Sequence, residues 1–327
     1  MVIIRVPRWA ATNKKFTIPV DVEQNMPAAA KVHPTDLNIS GFELIWAAVR
    51  SGRPAQFLKN PHSASNAEFA QWRATSCLRL LEPDKPYLRR PEIFHSEVDP
   101  SEKGYLNFML GGTLTTAYLA NKLGIRWLAH YSLVEKSPNY RIIKTSPSKV
   151  EPDYIGMDTN QQFFAAEAKG RMSLDKHTKL NLQAKRQTKT VTSVNGQASL
   201  HGFGIAAIAG GQNIELYATD PEVVLNLPTP SEWVRRYYAY VRAVCGPEGE
   251  VIEASQGPEN GDWVRVSLDL PRTVSQWALD AFSPGWGKPQ RHESSWDRLA
   301  QSTHERAKTE GGDVLPDLTI ATPLQRD

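Results

Sequence analysis

The chain has 327 residues, of which 40% are hydrophobic and 22% charged, and its formal net charge is +3. These values are typical of a soluble globular protein with one large domain or two ordinary ones, and two cysteines exclude a disulfide framework. A net charge so near zero says little about nucleic acid, so only local clusters of charge bear on that partner.

Several features predict a cytoplasmic protein that is not inserted in a membrane. The N-terminal run MVIIRVPRW has too short an apolar stretch for a signal peptide, and the longest apolar run, residues 203–209, cannot span a bilayer. The two cysteines, Cys77 and Cys245, are typical of a reducing compartment. The eight histidines show no HxH or HExxH spacing, which argues against a zinc site.

Residues 1–100 are predicted to be a helical and irregular region, for which substrate or partner recognition is one interpretation. Periodicity and turn residues set its expected elements. They are a strand at Val2–Val6, an irregular segment at 7–35, helices at Ile39–Arg50 and Ala67–Leu81, and a linker or surface arm at 82–100.

A helix and a strand are expected next. Apolar residues recur at helical spacing within residues 104–123. Gly111 and Gly112 in its middle cost about 1 kcal/mol each relative to alanine, so close packing on a sheet is expected there. A strand follows at residues 125–134, and a loop at 136–149.

The stretch Val150–Lys169, VEPDYIGMDTNQQFFAAEAK, indicates a β-hairpin. A turn in the polar cluster DTNQ pairs residues whose numbers sum to about 319 or 320, so Asp153 falls opposite Ala166 or Glu167. Because side chains alternate along a strand, Glu167 and Lys169 share one face, and Asp153 is expected across the ladder from them.

Two carboxylates and an ammonium on one sheet face favour a site for a hard cation and a phosphate. Carboxylates can hold Mg²⁺ while waters and substrate phosphate fill its other positions. Such an ion polarises the scissile phosphate and helps to make hydroxide from water. Lys169 would position that water or neutralise charge on the phosphoryl oxygens. The alternative is an exposed edge hairpin whose surface ion pairs are worth little.

A second helix is predicted at Lys176–Val194, followed by strands at Phe203–Ala209 and Ile214–Thr219. Gln183 and Gln187 lie one turn apart on this helix. One of them is expected at the edge of the site, and a surface amide is the alternative.

Local charge is concentrated in the same part of the chain. Residues 169–190 contain seven basic side chains and one acid, a charge of +6. Such a cluster fits a phosphate backbone, and a solvated helix face is the alternative. The side chains predicted to contact backbone phosphates are Lys176, Lys179, Lys185 and Arg186.

Residues 221–327 are predicted to be a mixed α/β extension that ends in a loose tail. Tyrosines of its first helix alternate with arginines and could stack on a nucleic acid, but core packing is the favoured interpretation. The expected elements are helices at 231–244, 274–282 and 295–310 and a strand at 263–270.

Pro152-Asp153 followed by Glu167-Ala168-Lys169 resembles the PD-(D/E)XK nuclease superfamily, which includes many restriction endonucleases, RecB-type exonuclease domains and archaeal Holliday-junction resolvases. The resemblance covers roughly residues 104–220. It implies an α/β fold with a restriction-endonuclease-like αβββαβ core, to which helical and mixed N-terminal and C-terminal regions are added.

The resemblance also implies roles for single residues. Asp153 and Glu167 match the metal ligands, Lys169 matches the catalytic lysine, and Gln183 or Gln187 matches a glutamine on the following helix. Many members also use an acid in the helix before the hairpin. Residues 104–123 contain none, and Glu102 lies just ahead of them.

The predicted organisation is an N-terminal region at 1–100, a nuclease core at 101–220 and a C-terminal extension at 221–327. The expected function is a Mg²⁺-dependent endonuclease acting on DNA, with Mn²⁺ as a substitute, of bacterial or phage origin. Restriction, anti-phage defence, transposition and repair are the expected settings. Because one such site cuts one strand, duplex cleavage needs a homodimer, two sequential nicks or a separate partner subunit.

Two other functions remain open. The missing helix acid favours a non-catalytic subunit that binds nucleic acid or a partner through a vestigial nuclease core. The other is a secreted nuclease toxin, against which the absence of an export segment counts.

Overall fold

The computed structural model describes residues 1–22, 36–52, 64–131, 133, 152–176, 201–219, 230–246, 250–254, 263–280 and 290–324. Within these ranges the protein is mixed α/β with seven helices and three mixed sheets, which confirms the predicted class at that level. The helices are α1 (Gly41–Arg50), α2 (Ala64–Leu78), α3 (Glu92–Ser96), α4 (Pro100–Lys122), α5 (Pro230–Cys245), α6 (Arg272–Asp280) and α7 (Gln290–Thr309). The strands are β1 (Val2–Pro7), β2 (Lys15–Ile18), β3 (Val20–Val22), β4 (Leu37–Ser40), β5 (Glu82–Asp84), β6 (Tyr87–Arg89), β7 (Trp127–His130), β8 (Tyr154–Met157), β9 (Phe163–Arg171), β10 (His201–Ile208), β11 (Glu215–Thr219), β12 (Ile252–Glu253), β13 (Trp263–Asp269), β14 (Asp313–Val314) and β15 (Ile320–Pro323).

A six-stranded sheet carries the predicted hairpin. Its strand order is β3-β11-β10-β9-β8-β7, so β9 is an interior strand. The β7–β8 and β8–β9 pairs are antiparallel, whereas β9 and β10 run parallel. The strands at β7, β10 and β11 agree with the predicted ones to within a few residues at their ends, and the predicted helix at Lys176–Val194 lies outside the described residues apart from Lys176 itself.

Two further sheets join segments that are far apart in the chain. The five-stranded sheet has the order β12-β1-β13-β15-β14, and the four-stranded sheet has the order β4-β2-β6-β5. Strand β3, from the first 22 residues, pairs with β11 in the sheet that carries the hairpin. The division at residues 100 and 220 stays a prediction.

Three segments differ from the sequence predictions. The segment 7–35 was expected to be irregular, but β2 and β3 form there because each finds a partner strand elsewhere in the chain. The expected linker at 82–100 contains β5, β6 and α3. The expected loose tail is wrong because β14 and β15 pair with each other, and β15 also pairs with β13.

Helix α1 starts two residues later than predicted because Ser40 is its N-cap. The Ser40 hydroxyl accepts a hydrogen bond from the Glu43 amide at 3.1 Å, and the Glu43 carboxylate accepts one from the Ser40 amide at 2.6 Å. This reciprocal pair is a capping box, which satisfies two amide donors that the helix itself cannot satisfy. Burial raises the pKa of Glu43.

Helix α5 contributes tyrosines to the core, as the favoured interpretation of its sequence predicted. Tyr237, Tyr238 and Tyr240 are all buried. The Tyr237 hydroxyl donates to the Asp317 carboxylate, and the Arg50 guanidinium lies 3.8 Å from the same oxygen. Burial raises the pKa of Tyr237, so its hydroxyl stays protonated and can donate.

Helix α4 contacts β9 backbone to backbone. A Cβ placed on Gly111 would lie 2.5 Å from the Lys169 carbonyl oxygen, and one placed on Gly170 would lie 1.5 Å from the Asn107 carbonyl oxygen. The expected close packing at Gly111 is therefore confirmed. Along this contact the residue numbers rise in α4 while they fall in β9. The first turns of α4 therefore lie towards the C-terminal end of β9.

The residues that the structure describes include no helix that is both long and apolar enough to cross a bilayer.

Candidate active site

The hairpin has the predicted register. Strands β8 and β9 pair residues whose numbers sum to 320, such as Tyr154 with Ala166. In the turn, the Asp158 carboxylate accepts a hydrogen bond from the Gln162 amide at 2.8 Å, and burial raises the pKa of Asp158. Since this turn is fixed by its own residues, the pairing of the strands that flank it follows from local sequence.

Asp153 stands where β8 begins and is tied to both neighbouring strands. Its side-chain Oδ2 accepts a hydrogen bond from the Ala168 amide at 2.9 Å, and its carbonyl oxygen accepts one from the Tyr131 amide at 2.8 Å. The carboxylate is therefore held against β9, between the positions of Glu167 and Lys169. This is the cross-ladder position that the hairpin register predicts.

Glu167 and Lys169 lie on one face of β9, as strand alternation predicts. The Lys169 ammonium donates a hydrogen bond to Oε1 of Glu167. Glu167 is only 5% exposed, whereas the side chain of Lys169 is partly exposed. A carboxylate this deeply buried needs a compensating cation, and Lys169 supplies one here.

The alternative of an exposed edge hairpin is wrong. Strand β9 is flanked on both sides, by β8 and by β10, and Glu167 is buried. The pair is thus an interior feature, where charges interact more strongly than at a surface.

The residues of β10 that lie beside Glu167 and Lys169 are small. Gly170 faces α4, so the alternating Glu167 and Lys169 project from the opposite face. On β10 the residues paired with them are Gly204 and Ala206. The neighbouring strand therefore places nothing larger than a methyl group beside the two charged side chains.

The third acid that the PD-(D/E)XK resemblance implies is not brought to the site by α4. The helix begins at Pro100, four residues earlier than predicted, so Glu102 lies inside its first turn rather than ahead of it. Glu102 is exposed. Across the described ranges no three His, Cys, Asp or Glu side chains are grouped closely enough to hold a metal ion.

Of the glutamines and basic residues predicted on the second helix, the structure describes Lys176. Gln183, its alternative Gln187, and the basic residues Lys179, Lys185 and Arg186 lie outside the described residues. Lys176 is exposed and lies a few residues beyond the C-terminal end of β9.

The structure also shows a support for Lys169 that the sequence did not predict. Arg90 is buried and donates to the Asn107 side-chain oxygen at 3.1 Å and to the Leu80 carbonyl at 2.9 Å. Burial lowers the pKa of Arg90 to about 10. Asn107 in turn contacts Gly170 through its carbonyl. A glycine inside a strand often marks such a close approach, and Gly170 was the available signal.

The donor atoms at this site fit a hard divalent cation. Two carboxylates, from Asp153 and Glu167, provide the oxygen ligands that Mg²⁺ prefers, and Mg²⁺ commonly keeps waters or phosphate oxygens in its other positions. Two protein carboxylates are therefore enough to hold it, and neither a sulfur nor an imidazole ligand is needed.

No family model, no curated protein and no solved structure matches this chain. The site is therefore defined by the residues of this chain alone.

Proposed function

We propose that this protein is a Mg²⁺-dependent nuclease that hydrolyses phosphodiester bonds of DNA. The observation that supports this most directly is the buried Glu167 paired with Lys169, with Asp153 hydrogen-bonded to the amide of the residue between them. Surface ion pairs do not require such an arrangement, but a metal and a scissile phosphate do.

The order of the described elements supports the same proposal. Helix α4 is followed by β7, then by the β8–β9 hairpin, and β10 lies parallel to β9. A parallel pair requires a crossover connection, which the chain between residues 172 and 200 is long enough to make. This order is the one that a restriction-endonuclease-like αβββαβ core would have.

Asp153 and Glu167 would hold the metal ion, for which Mn²⁺ should substitute. When bound, the ion would supply Lewis-acid polarisation of the phosphate and lower the pKa of a water. The carboxylate oxygens of Asp153 and Glu167 would stay oriented, because the contact between α4 and Gly170 fixes β9 from the other side of the sheet.

Lys169 would act on the phosphate side of the site. Its ammonium already lies on Glu167 and is partly exposed, so a phosphate reaching this face would meet a positive charge. It would orient the attacking water and neutralise the charge that grows on the phosphoryl oxygens as the phosphorus–oxygen ester bond breaks. Lys176 would bind a neighbouring phosphate, as would the basic residues of 177–190.

One site of this kind cuts one strand. Cleavage of a duplex would therefore use a homodimer, two successive nicks or a separate partner subunit. A bacterial or phage enzyme of restriction, anti-phage defence, transposition or repair fits this chemistry.

The test is a plasmid-nicking assay in Mg²⁺ and in EDTA, with the native protein and Lys169→Ala. We expect metal-dependent nicking by the native protein and a loss of roughly 10²-fold or more in Lys169→Ala, the size seen when one electrostatic stabiliser is removed. Lys308→Ala, which removes an exposed lysine near the end of α7, is the matched control and should nick normally. Cleavage that survives in Lys169→Ala would exclude Lys169 from the reaction.

The second candidate is a non-catalytic subunit that binds nucleic acid or a partner through a vestigial nuclease core. It is favoured by the exposed position of Glu102, since the described part of α4 brings no third acid to the site. Such a protein would not nick DNA and would not be stabilised by Mg²⁺ or Mn²⁺.

A further inference from the structure

Three aromatic rings are exposed on adjacent turns of α2 and α4. Trp72 is 46% exposed, Tyr105 is 39% exposed and Phe108 is 58% exposed. They are three of the five large hydrophobic side chains that are exposed in the described residues. We refer to Trp72, Tyr105 and Phe108 as the aromatic ridge.

Two rings of the ridge, those of Trp72 and Tyr105, are held in place by neighbouring rings. The Trp72 and Tyr105 ring centroids are 6.0 Å apart, and the Phe69 ring lies 5.4 Å behind that of Trp72. Aromatic side chains have few rotatable bonds, so rings fixed in this way lose little conformational entropy on binding.

The ridge lies at the same end of the sheet as the candidate site. Tyr105 and Phe108 lie on the exposed side of α4, and the following turn places Gly111, on the buried side, against the Lys169 carbonyl. The Phe108 amide nitrogen lies 2.9 Å from the place that a Cβ on Gly170 would occupy. The ridge therefore lies beside the C-terminal end of β9 on the side of the sheet that α4 covers, whereas Glu167 and Lys169 project from the other side.

Exposed cations lie on the chain that leaves β9, and the exposed Asp175 directly precedes the second of them. Arg171 follows Gly170 directly and is exposed, and Lys176 is exposed a few residues later. Rings for bases and cations for phosphates are the two components of surfaces that bind single-stranded nucleic acid.

The surroundings of the ridge distinguish it from a protein-docking patch. The exposed positions beside Tyr105 on α4 are Ser101, Glu102 and Gly104, which are polar or lack a side chain. The rings on α4 are thus flanked by polar positions, whereas a protein interface is marked by a larger contiguous apolar surface.

We propose that the aromatic ridge stacks unpaired bases of a single-stranded nucleic acid, while Arg171 and Lys176 bind its phosphates. The substrate of the site would then carry an unpaired strand, as a flap, a frayed end or a single-stranded region does. The statement about the substrate rests on the proposed nuclease function, whereas binding of the single strand needs neither metal nor cleavage.

The test measures binding of the full-length protein in EDTA by fluorescence anisotropy. The probes are a labelled oligothymidylate and an abasic strand with the same number of phosphates, so that they differ only in their bases. We expect the native protein to prefer oligothymidylate, and Trp72→Ala or Phe108→Ala to weaken that binding roughly 5- to 150-fold for each stacked base lost. Binding of the abasic strand should change little.

Two sets of controls separate stacking from folding and from general hydrophobicity. Val251→Ala removes a side chain that is 58% exposed, as Phe108 is, but lies outside the ridge, and it should leave the preference unchanged. Trp72→Phe keeps a ring and should keep most of the preference, whereas Trp72→Leu keeps apolar bulk without a ring and should lose it. Thermal unfolding of each variant reports whether it folds.

The outcomes also separate this proposal from the nuclease proposal. Equal binding of the two probes by the native protein, or a preference that survives in Trp72→Leu and Phe108→Ala, would overturn the ridge proposal even if the protein nicks plasmid. Loss of self-association in those variants, with unchanged binding of oligothymidylate, would make the ridge a protein interface and overturn the proposal as well. A ring-dependent preference in a protein that does not nick would support the ridge and remove only the nuclease function.

Discussion

Single glycines determine how closely α4 approaches the strand that carries the candidate site. Gly111 and Gly170 interlock the helix and the strand, and no side chain fits between the two backbones at these points. Gly111 meets the Lys169 carbonyl and Gly170 is the next residue, so the backbone position of Lys169 depends on both contacts. Residues without side chains therefore contribute to the placement of a charged group that they do not touch directly.

Replacing Gly111 by alanine tests this contact at the scale of one methyl group. Alanine is the better helix former by about 1 kcal/mol, but at position 111 its Cβ would meet the Lys169 carbonyl. We expect Gly111→Ala to lower the free energy of unfolding by roughly 1–3 kcal/mol, the usual cost of overpacking, and to reduce nicking because Lys169 shifts. Urea unfolding and the nicking assay measure the two effects.

Gly104→Ala is the matched control for that substitution. Gly104 lies on the same helix, and a Cβ placed there meets nothing within 4 Å. This change should raise the free energy of unfolding by up to about 1 kcal/mol. If Gly111→Ala were stabilising to the same extent, the helix and the strand would not be in contact in solution.

At this scale the site was predictable from sequence only where its geometry is local. The hairpin turn and strand alternation are enough to place Asp153, Glu167 and Lys169 together, because all three lie within 17 residues of one another. The support from Arg90 and Asn107 was not predictable, since it depends on where α4 and the chain before it pack. Glu102 was misplaced because the start of α4 was predicted four residues late.

A buried polar cluster around Asp317 connects helices and a turn of this fold. Asp317, in the turn between β14 and β15, accepts hydrogen bonds from the Trp46 indole at 2.9 Å and from the Tyr237 hydroxyl. Arg50, at the end of α1, also donates to the Tyr237 hydroxyl at 2.9 Å. The cluster thus joins α1, α5 and the C-terminal hairpin.

Removing the carboxylate from this cluster should be costly. In Asp317→Ala the buried Arg50 guanidinium would lose its carboxylate, and the Trp46 and Tyr237 donors would lose their shared acceptor. We expect the free energy of unfolding to fall by about 3–5 kcal/mol, as it does when one partner of a buried ion pair is removed. Chemical denaturation at neutral pH measures this loss.

An exposed ion pair on α7 provides the comparison. Glu310→Ala removes a carboxylate that lies 2.7 Å from Arg306, and both side chains are exposed. This change should cost at most about 1 kcal/mol. Equal losses in Asp317→Ala and Glu310→Ala would mean that the Asp317 cluster is solvated rather than buried.

Long helices were predicted better than short strands, and the difference has a physical reason. Long periodic helices such as α1, α4 and α5 were predicted because their pattern is contained in their own sequence. Strands of two to four residues, such as β2, β3 and β15, carry no such pattern and form only because a distant strand pairs with them. Residues 37–40 were assigned partly to the following helix, but they pair with β2 instead.

At the scale of the whole molecule, the first and last segments of the chain complete the sheets. Strand β1 pairs with β12 and β13, and β3 extends the sheet that contains β9. The site sheet is therefore completed by residues that the sequence resemblance does not cover. Such long-range pairing cannot be derived from local patterns, which is why the flanks of the core were the least predictable part.

A metal ion that binds only the folded protein should stabilise the whole molecule. Stabilisation by a metal ion is expected of the nuclease and not of the vestigial core, so it separates the two candidate functions. By mass action the gain is about 2.7 kcal/mol at a free ion concentration of 100 Kd, so Mg²⁺ or Mn²⁺ should raise the unfolding temperature and EDTA should reverse the rise. Asp153→Asn and Glu167→Gln should abolish the shift, whereas Asp84→Asn, which alters an exposed acid, should keep it. A native protein with no shift in either ion would favour the vestigial core, because carboxylates that hold no metal cannot activate a water for cleavage.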